Sequence, residues 1–258
     1  APQIKAAKNT ANGVKITWDK ASNAKEYRIY RKTSGGSYVK IADVKSTSYT
    51  DNNVYSGTKY YYVVKAKNGS NLSDKSSSKA SVFLSDPTLS AIENASSGIK
   101  LSWYSVTGAS KYRVYRKVKG GSYAKIADVK STSYTDKTAK SGTKYYYVVK
   151  AIKDSYISTS SDYKALYRLS APTMKTPVSS KSGITVKWEK VNGASGYAIY
   201  RKSYDGSYYY IAAVEGGSKV SYLDKSASKG VSYGYKVRAY KGSTYSAYSS
   251  AKSITDKY

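Results

Sequence analysis

A repeat of 85 residues constrains the fold of this 258-residue chain more than any other feature. Trp18, Trp103 and Trp188 follow one another at that spacing. The segment 35–51 is identical to the segment 120–136 at 16 of 17 positions. Such a period predicts one structural unit per copy. We therefore expect three domains, which span residues 1–84, 85–169 and 170–258.

Within each copy the apolar residues alternate with polar ones. Val14, Ile16 and Trp18 point to one side of a strand, while Lys15 and Thr17 point to the other. Alternation of period two is typical of strands with one buried face. Turn residues recur every 8–12 residues, which favours an antiparallel sandwich. The fold class predicted for every copy is therefore an all-β, antiparallel sandwich.

Composition excludes several classes of site. The chain has no Cys and no His, which excludes disulfides, catalytic thiols, His-based triads and zinc sites of the Cys/His type. We predict no metal and no cofactor. No apolar run approaches the length of a membrane span, so membrane insertion is not expected. The chain opens without Met or an apolar leader, so we expect a processed piece of a longer protein.

Low aliphatic content and a net charge of +28 are typical of disordered chains. The 32 tyrosines argue against disorder, because a tyrosine can bury its ring in a core while its hydroxyl remains hydrated.

Three motifs resemble fibronectin type III domains of the kind common in secreted bacterial proteins. They are Ile-Thr-Trp at 16–18, Tyr-Arg-Ile-Tyr at 27–30 and Ser-Gly-Thr-Lys-Tyr-Tyr-Tyr-Val-Val-Lys-Ala at 56–66, with counterparts in the other copies. The resemblance covers essentially the whole chain. It implies an immunoglobulin-like sandwich of seven strands in two sheets for each copy, and it implies tyrosine corners at Tyr60, Tyr145 and Tyr233. It also implies an extracellular or cell-surface location.

One acidic position is repeated in all three copies, as Asp51, Asp136 and Asp224. A glycosidase would need a second carboxylate about 5–9.5 Å away, and no repeated partner carboxylate exists. The spacing instead predicts a turn Asp that accepts hydrogen bonds from nearby backbone amides. We predict no catalytic residues and no enzymatic activity.

The positive charge is spread evenly over the copies, and 37 of the basic residues are Lys against 7 Arg. A nucleic-acid reader would gather Arg on one face, so nucleic acid is disfavoured as a partner. Lysines at outward strand positions solvate the sheets and discourage edge pairing, so we expect a monomer. Attraction to acidic polysaccharide or to the anionic polymers of a bacterial cell wall follows from the charge.

Outward tyrosines with neighbouring cations form the candidate ligand face. Its members are Tyr30, Tyr61, Arg28 and Lys65 in the first copy, and Tyr115, Tyr146, Arg113 and Lys150 in the second. A flat aromatic face with hydrogen-bond donors can stack against a sugar ring. The alternative is a cross-strand aromatic pair that only stabilises the sheet.

The third copy departs from this pattern. It keeps Tyr200 but has Gly234 and Ala198 at the other positions, which predicts that binding resides in copies one and two. A further tyrosine cluster, expected in the third copy alone, comprises Tyr204, Tyr208, Tyr209 and Tyr210.

Three hypotheses for function follow. The first is a non-catalytic spacer or adhesion array of a bacterial surface protein that contacts polysaccharide or anionic wall polymer. The second is a carbohydrate-binding array that stacks sugars on the outward tyrosines. The third is a binder of polyanions driven by charge alone.

Overall fold

A computed structural model describes residues 1–203 and 206–258. All regular secondary structure in these ranges is β, which confirms the predicted fold class. Tyr204, one member of the predicted third-copy cluster, lies outside the described residues.

The strands fall into three sets of eight. Domain 1 contains β1 (Ile4–Thr10), β2 (Gly13–Trp18), β3 (Glu26–Thr33), β4 (Val39–Val44), β5 (Ser48–Asp51), β6 (Lys59–Asn68), β7 (Asn71–Leu72) and β8 (Lys79–Val82). Domain 2 contains β9 (Leu89–Ala95), β10 (Gly98–Trp103), β11 (Lys111–Val118), β12 (Ala124–Val129), β13 (Ser133–Asp136), β14 (Lys144–Lys153), β15 (Tyr156–Ile157) and β16 (Lys164–Tyr167). Domain 3 contains β17 (Val178–Ser180), β18 (Gly183–Lys187), β19 (Gly196–Ser203), β20 (Tyr209–Glu215), β21 (Ser221–Asp224), β22 (Ser232–Lys241), β23 (Thr244–Tyr245) and β24 (Lys252–Thr255).

Each domain is a sandwich of two antiparallel sheets. In domain 1 the smaller sheet has the order β1-β2-β5, and the larger sheet has the order β4-β3-β6 with β7 and β8 both paired to β6. Domains 2 and 3 repeat this order. The seven strands implied by the resemblance are therefore present, with the last strand divided into two short pieces.

Two serines fill the break in the last strand of each domain. In domain 1 the Ser76 Oγ accepts the Val64 N–H at 3.0 Å, and the Ser73 Oγ accepts the Ala66 N–H at 2.9 Å. The Ser76 and Ser73 N–H groups donate back to the same two residues at 2.9 Å. These serines take over the hydrogen bonds of a continuous strand, because an unpaired buried backbone group is costly.

The apolar positions predicted to face inward form the core. Ile16 and Trp18 from β2 are buried against Tyr62 and Val64 from β6. The Trp18 and Tyr27 rings meet edge to face with centroids 5.5 Å apart. Full burial of an aliphatic side chain stabilises a fold by about 1.5–3 kcal/mol. The buried tyrosine and tryptophan rings add apolar area to each core. They therefore compensate for the low aliphatic content of the chain.

All three predicted tyrosine corners are confirmed. The hydroxyls of Tyr60, Tyr145 and Tyr233 accept a backbone N–H five residues upstream, at 2.9, 3.1 and 3.0 Å. Each bond ties the loop before the long central strand to the start of that strand.

The joints between domains bring glycines into backbone contact. Gly57 of domain 1 lies against Gly108 of domain 2, and an added Cβ at Gly108 would overlap the Gly57 Cα. Gly142 and Gly193 repeat the contact between domains 2 and 3. Domain 1 has Asn23 at the equivalent loop position, with a φ of 60°. The turn itself therefore accepts a side chain, and the interdomain contact is what requires glycine.

Side chains reinforce each joint at repeated positions. The Ser56 hydroxyl donates to the Thr107 carbonyl at 2.8 Å, and Ser141 donates to the Asn192 carbonyl at 2.9 Å. Farther along the contact, the Asn9 amide donates to the Ile157 carbonyl at 3.2 Å. Asn94 repeats this bond to Tyr245 at 3.1 Å. The two joints therefore use the same contacts 85 residues apart.

Candidate ligand face of the larger sheets

The larger sheet of domain 1 brings the predicted ligand residues to one face, which we term the outer face. In the pairing of β3 with β6, Arg28 lies opposite Lys65 and Tyr30 lies opposite Val63. Lys32 lies opposite Tyr61. Tyr30 and Tyr61 are therefore diagonal neighbours, a separation of about 7–8 Å between pair positions.

Domain 2 repeats this register on β11 and β14. Arg113 lies opposite Lys150, Tyr115 opposite Val148 and Lys117 opposite Tyr146. The Lys150 ammonium lies 5.9 Å from the centroid of the Tyr115 ring. Lys150 also lines a space of about 400 Å³ beside Asn9 of domain 1, so one edge of this face meets the joint.

A tyrosine that sequence reasoning missed divides the face of domain 1. Tyr38 precedes β4 and lies between the two predicted tyrosines. On one side it encloses about 160 Å³ with Tyr30, Val63 and Lys65. On the other side it lines a larger cleft with Lys32 and Tyr61. The face is therefore ridged, not the flat platform that the sequence predicted. A repeated Ser-Tyr pair behind the hairpin glycines, at 37–38, 122–123 and 207–208, is the signal that could have identified this residue.

We call the larger recess the hairpin cleft. It is formed by Lys32, Tyr38 and Tyr61 in domain 1 and by Lys117, Tyr123 and Tyr146 in domain 2. Its volume is about 460 Å³ in domain 1 and about 260 Å³ in domain 2. Tyr163 takes part of the space in domain 2, where its ring lies 5.6 Å from that of Tyr146.

The two predicted arginines are engaged within the protein. Arg28 makes a bidentate pair with Asp43 at 2.8 and 3.0 Å, and Arg113 pairs with Asp128 at 2.7 and 3.1 Å. Hydrogen bonds from Arg28 outweigh burial and hold the pKa of the Asp43 carboxyl well below its usual range. These arginines bind neighbouring strands together, and the lysines supply the cations that face solvent.

Domain 3 covers its outer face with aromatic rings. The Tyr200 ring lies 5.0 Å from the Tyr248 ring and 5.9 Å from the Tyr210 ring, both edge to face. The Arg238 guanidinium lies 4.6 Å from the centroid of the Tyr248 ring. Ala198 is buried beneath this layer and lies opposite Ala213, so the Arg–Asp pair of the other domains is absent here.

The expectation that the second tyrosine cluster is confined to the third copy is wrong for one member. Tyr208 occupies the position of Tyr38 and Tyr123 after the hairpin turn, since 85 residues separate each pair. Tyr209 differs, because its hydroxyl accepts hydrogen bonds from the Arg201 guanidinium at 2.8 and 3.1 Å.

The repeated aspartate is a structural anchor. The Asp51 carboxylate accepts the Asn53 N–H at 3.2 Å, which confirms the predicted backbone bond. It also accepts the Tyr62 hydroxyl and the Arg31 guanidinium, each at 2.9 Å. Asp136 and Asp224 make the same contacts.

Electrostatics favour the charged form of the anchor in domain 2. Burial by itself raises the pKa of the Asp136 carboxyl. The hydrogen bonds from Thr138, Tyr147 and Arg116 outweigh burial, so the pKa is lowered. A carboxylate held in this way links the two sheets of its domain.

Neither a candidate metal cluster nor a candidate membrane-spanning helix is found within 1–203 and 206–258. No group of three or more Asp or Glu residues there could hold a metal ion. No helix in those ranges is long and apolar enough to cross a bilayer.

Comparison with known proteins finds a curated relative and structural neighbours. The chain is 26% identical over 173 residues to Exoglucanase B of Cellulomonas fimi, a match that covers 58% of this chain. The chain spans only 15% of the length of that relative. The FN1–FN3 domains of chicken CNTN1 align over 100% of this chain and 98% of theirs, with 18% identity and a TM-score of 0.32. No family model matches the sequence.

The fold assignment comes from the strand order of the protein itself. Each domain has a three-stranded sheet packed on a larger sheet, a tyrosine corner and an interrupted last strand. The chain is a tandem array of three β-sandwich domains, and their strand order and tyrosine corners fit the resemblance to fibronectin type III domains.

Proposed function

We propose that this chain is a non-catalytic spacer array of a bacterial extracellular or cell-surface protein. The repeated joint carries the proposal, because the same glycine contact and the same serine hydrogen bond occur twice. A tandem array with equal, close joints holds its two ends at a fixed separation. The likeness to a segment of an exoglucanase supports the proposal, since the matched part is a small fraction of that enzyme.

Solution scattering tests the overall shape. A compact globule of 258 residues would have a radius of gyration of about 18 Å. We expect a clearly larger value, with a distance distribution typical of a rod. A value near that of the compact globule would contradict the spacer function.

Pulsed electron paramagnetic resonance tests the joint. The chain has no native Cys, so Lys15→Cys and Lys100→Cys place one label on the exposed strand surface of domains 1 and 2. We expect a narrow distance distribution that broadens in Gly108→Ala. Gly120→Ala is the matched control, because Gly120 has a similar φ of 78° but no atom within 4 Å of an added Cβ. Equal distributions in both variants would show that the joint does not fix the domains.

A second candidate function is contact with an acidic polysaccharide or an anionic wall polymer. The outer faces of domains 1 and 2 support it, because lysines surround partly exposed tyrosine rings there. Retention on acidic and neutral polysaccharides at low and high salt tests this function. Loss of all retention at high salt would indicate attraction by charge alone.

A further inference from the structure

The hairpin clefts of domains 1 and 2 combine aromatic rings with ammonium groups. In domain 1 the Lys32 ammonium lies 5.2 Å from the Tyr38 centroid and 5.7 Å from the Tyr61 centroid. The Lys59 ammonium lies 5.5 Å from the Tyr61 centroid. A cation near a ring face is attracted to the electron-rich ring, so these contacts hold the ammonium groups beside the cleft.

Domain 2 has the same arrangement. The Lys117 ammonium lies 4.8 Å from the Tyr123 centroid and 5.9 Å from the Tyr146 centroid. The Lys144 ammonium lies 5.6 Å from the Tyr146 centroid. The repetition indicates that the arrangement belongs to the hairpin and not to one local sequence.

The acidic residues of the outer face lie at its opposite end. Asp43 pairs with Arg28 and Lys40, while Glu26 pairs with Lys67. Among the residues that the structure describes, no carboxylate lies within 4.0 Å of the Lys32 or Lys59 ammonium. The hairpin cleft therefore carries positive charge that no neighbouring ion pair offsets.

Domain 3 closes the equivalent space. Gly234 replaces the cleft tyrosine of the other domains, and the Tyr208 hydroxyl oxygen lies 2.8 Å from where a Gly234 Cβ would be. The Lys202 and Lys236 ammonium groups lie 5.5 and 4.4 Å from the Tyr208 centroid. The Tyr208 side chain thus lies over the position that Tyr61 or Tyr146 fills in the other domains.

We infer that the hairpin clefts of domains 1 and 2 each bind one anionic sugar unit, and that domain 3 binds none. The inference rests on the second candidate function, polymer contact, and not on the spacer function. The carboxylate of a uronate or the phosphate of a sugar phosphate accepts hydrogen bonds from Lys32 or Lys117. The C–H face of the sugar packs on Tyr61 or Tyr146.

Two such sites on domains with a close joint suit a repeating acidic polymer. Once one cleft is occupied, the second binding event becomes intramolecular, which raises the effective concentration of the next sugar unit. A long polymer should therefore bind more tightly than its short fragments.

Calorimetric titration of the full chain at about 0.15 M salt tests the inference. The probes are short oligogalacturonate, short poly(glycerol phosphate), cellohexaose and a single-stranded oligonucleotide. We expect two sites for an anionic sugar probe and weak or no binding of cellohexaose. The first two probes distinguish uronate from phosphodiester as the source of the anion. Tighter binding of the oligonucleotide, or binding of cellohexaose alone, would overturn the ligand class.

Matched variants separate the cleft from the net charge. We expect Lys32→Gln with Lys117→Gln to weaken binding by about tenfold, and Tyr61→Ala with Tyr146→Ala to do the same. Lys15→Gln with Lys100→Gln removes the same charge from the exposed side of the smaller sheets, and we expect a change of less than about twofold.

Tyr61→Phe and Tyr146→Phe retain the aromatic rings. They therefore serve as controls in case the alanine variants fail to fold. Equal losses of affinity in the two double lysine variants would contradict binding in the hairpin clefts. They would indicate a binder of polyanions driven by charge alone. Absence of binding to every probe would contradict both ligand binding in the hairpin clefts and the polymer-contact function. The spacer function would be unaffected, since scattering tests it separately.

Discussion

The outer faces of domains 2 and 3 differ although the domains share one strand order. In domain 2 an Arg113–Asp128 pair ties two strands together and the hairpin cleft is open. In domain 3 the same pair positions are Ala198 and Ala213. Packed tyrosines cover the face, and the Tyr208 ring fills the cleft position. Two different solutions therefore stabilise the same exposed sheet, and only one of them leaves a recess.

Beneath these faces the two domains use the same anchor. The carboxylates of Asp136 and Asp224 accept a tyrosine hydroxyl, an arginine and a backbone amide in the same arrangement. The buried polar network therefore belongs to the sandwich framework that the domains share, which we term the frame, while the outer face varies independently of it.

The largest effect is expected from the buried aspartate. Asp136→Asn removes the carboxylate and leaves Arg116 without its charged partner. Breaking a buried pair on one side costs about 3–5 kcal/mol, so we expect that loss of stability in domain 2. Hydrogen exchange with mass spectrometry measures the change by domain. Asp224→Asn should give a loss of similar size in domain 3, and a loss in one domain alone would contradict a shared frame.

Alkaline pH should destabilise every domain through the same network. Burial, followed by contact with the aspartate, raises the pKa of the Tyr62, Tyr147 and Tyr235 hydroxyls well above the usual value of 10.0. In the unfolded chain these hydroxyls ionise near that value, so the stability present below pH 10 is lost as the pH rises. The free energy of unfolding should fall by about 1.4 kcal/mol per pH unit per domain.

Denaturant unfolding at a series of pH values above 9 measures this slope. Tyr147→Phe removes the ionisable hydroxyl of domain 2 and should remove the contribution of that domain. A slope unchanged by the substitution would contradict the role assigned to the buried hydroxyl.

Gly234→Tyr should convert the outer face of domain 3 towards that of domain 2. Gly234 lies in β22, and a tyrosine there should displace the flexible end of Tyr208 and add up to about 1 kcal/mol of strand stability. We expect a third site for the anionic sugar probe in calorimetric titration. Tyr208→Ala is the control, because it opens the space but leaves domain 3 without either cleft tyrosine, and it should leave two sites.

The smallest effect is expected from the exposed Arg–Asp pair. Arg113→Ala with Asp128→Ala reproduces the residues of domain 3. The pair is partly exposed, so screening limits its contribution to at most about 1 kcal/mol. Hydrogen bonds from Arg113 outweigh burial and lower the pKa of Asp128 below 3.8, so this stability is present above pH 3.8 and lost below it.

Thermal unfolding at neutral pH and near pH 3 checks this prediction. The double variant should lose less stability on acidification than the wild type. The difference should be no more than about 4–8 °C in Tm, the shift expected for 1 kcal/mol in a domain of this size. Equal acid sensitivity would show that the pair does not stabilise the outer face.

Local pattern was sufficient to predict the frame. The 85-residue period, the alternation around Trp18 and the motif that contains Tyr60 led to the sandwich and to the tyrosine corner. The sandwich and the tyrosine corner depend on residues that are close in sequence. Alternation along one strand decides which face a side chain occupies, and the corner hydroxyl bonds to a backbone amide only five residues upstream. The break in the last strand was not predicted, since the serines of that break act through bonds to a neighbouring strand.

The candidate site was predicted only in part. Register placed Tyr30 and Tyr61 on one face, as the alternation predicted. The pairing of Arg28 with Asp43 was not foreseen, because the two residues meet across strands whose relative register the sequence does not state. Tyr38 was missed as well, since it reaches the face from a loop and not from a strand.

The repeat, the all-β class, the inward residues and the exclusion of Cys and His chemistry can be read from the chain without its structure. All of these follow from composition and from periodicity along one strand. Tertiary structure decided which outward groups are free to meet a ligand, how Tyr208 fills the space above Gly234 and why Gly108 must lack a side chain. The physical reason is that these features depend on distances between residues from different strands or different domains, and packing alone sets those distances.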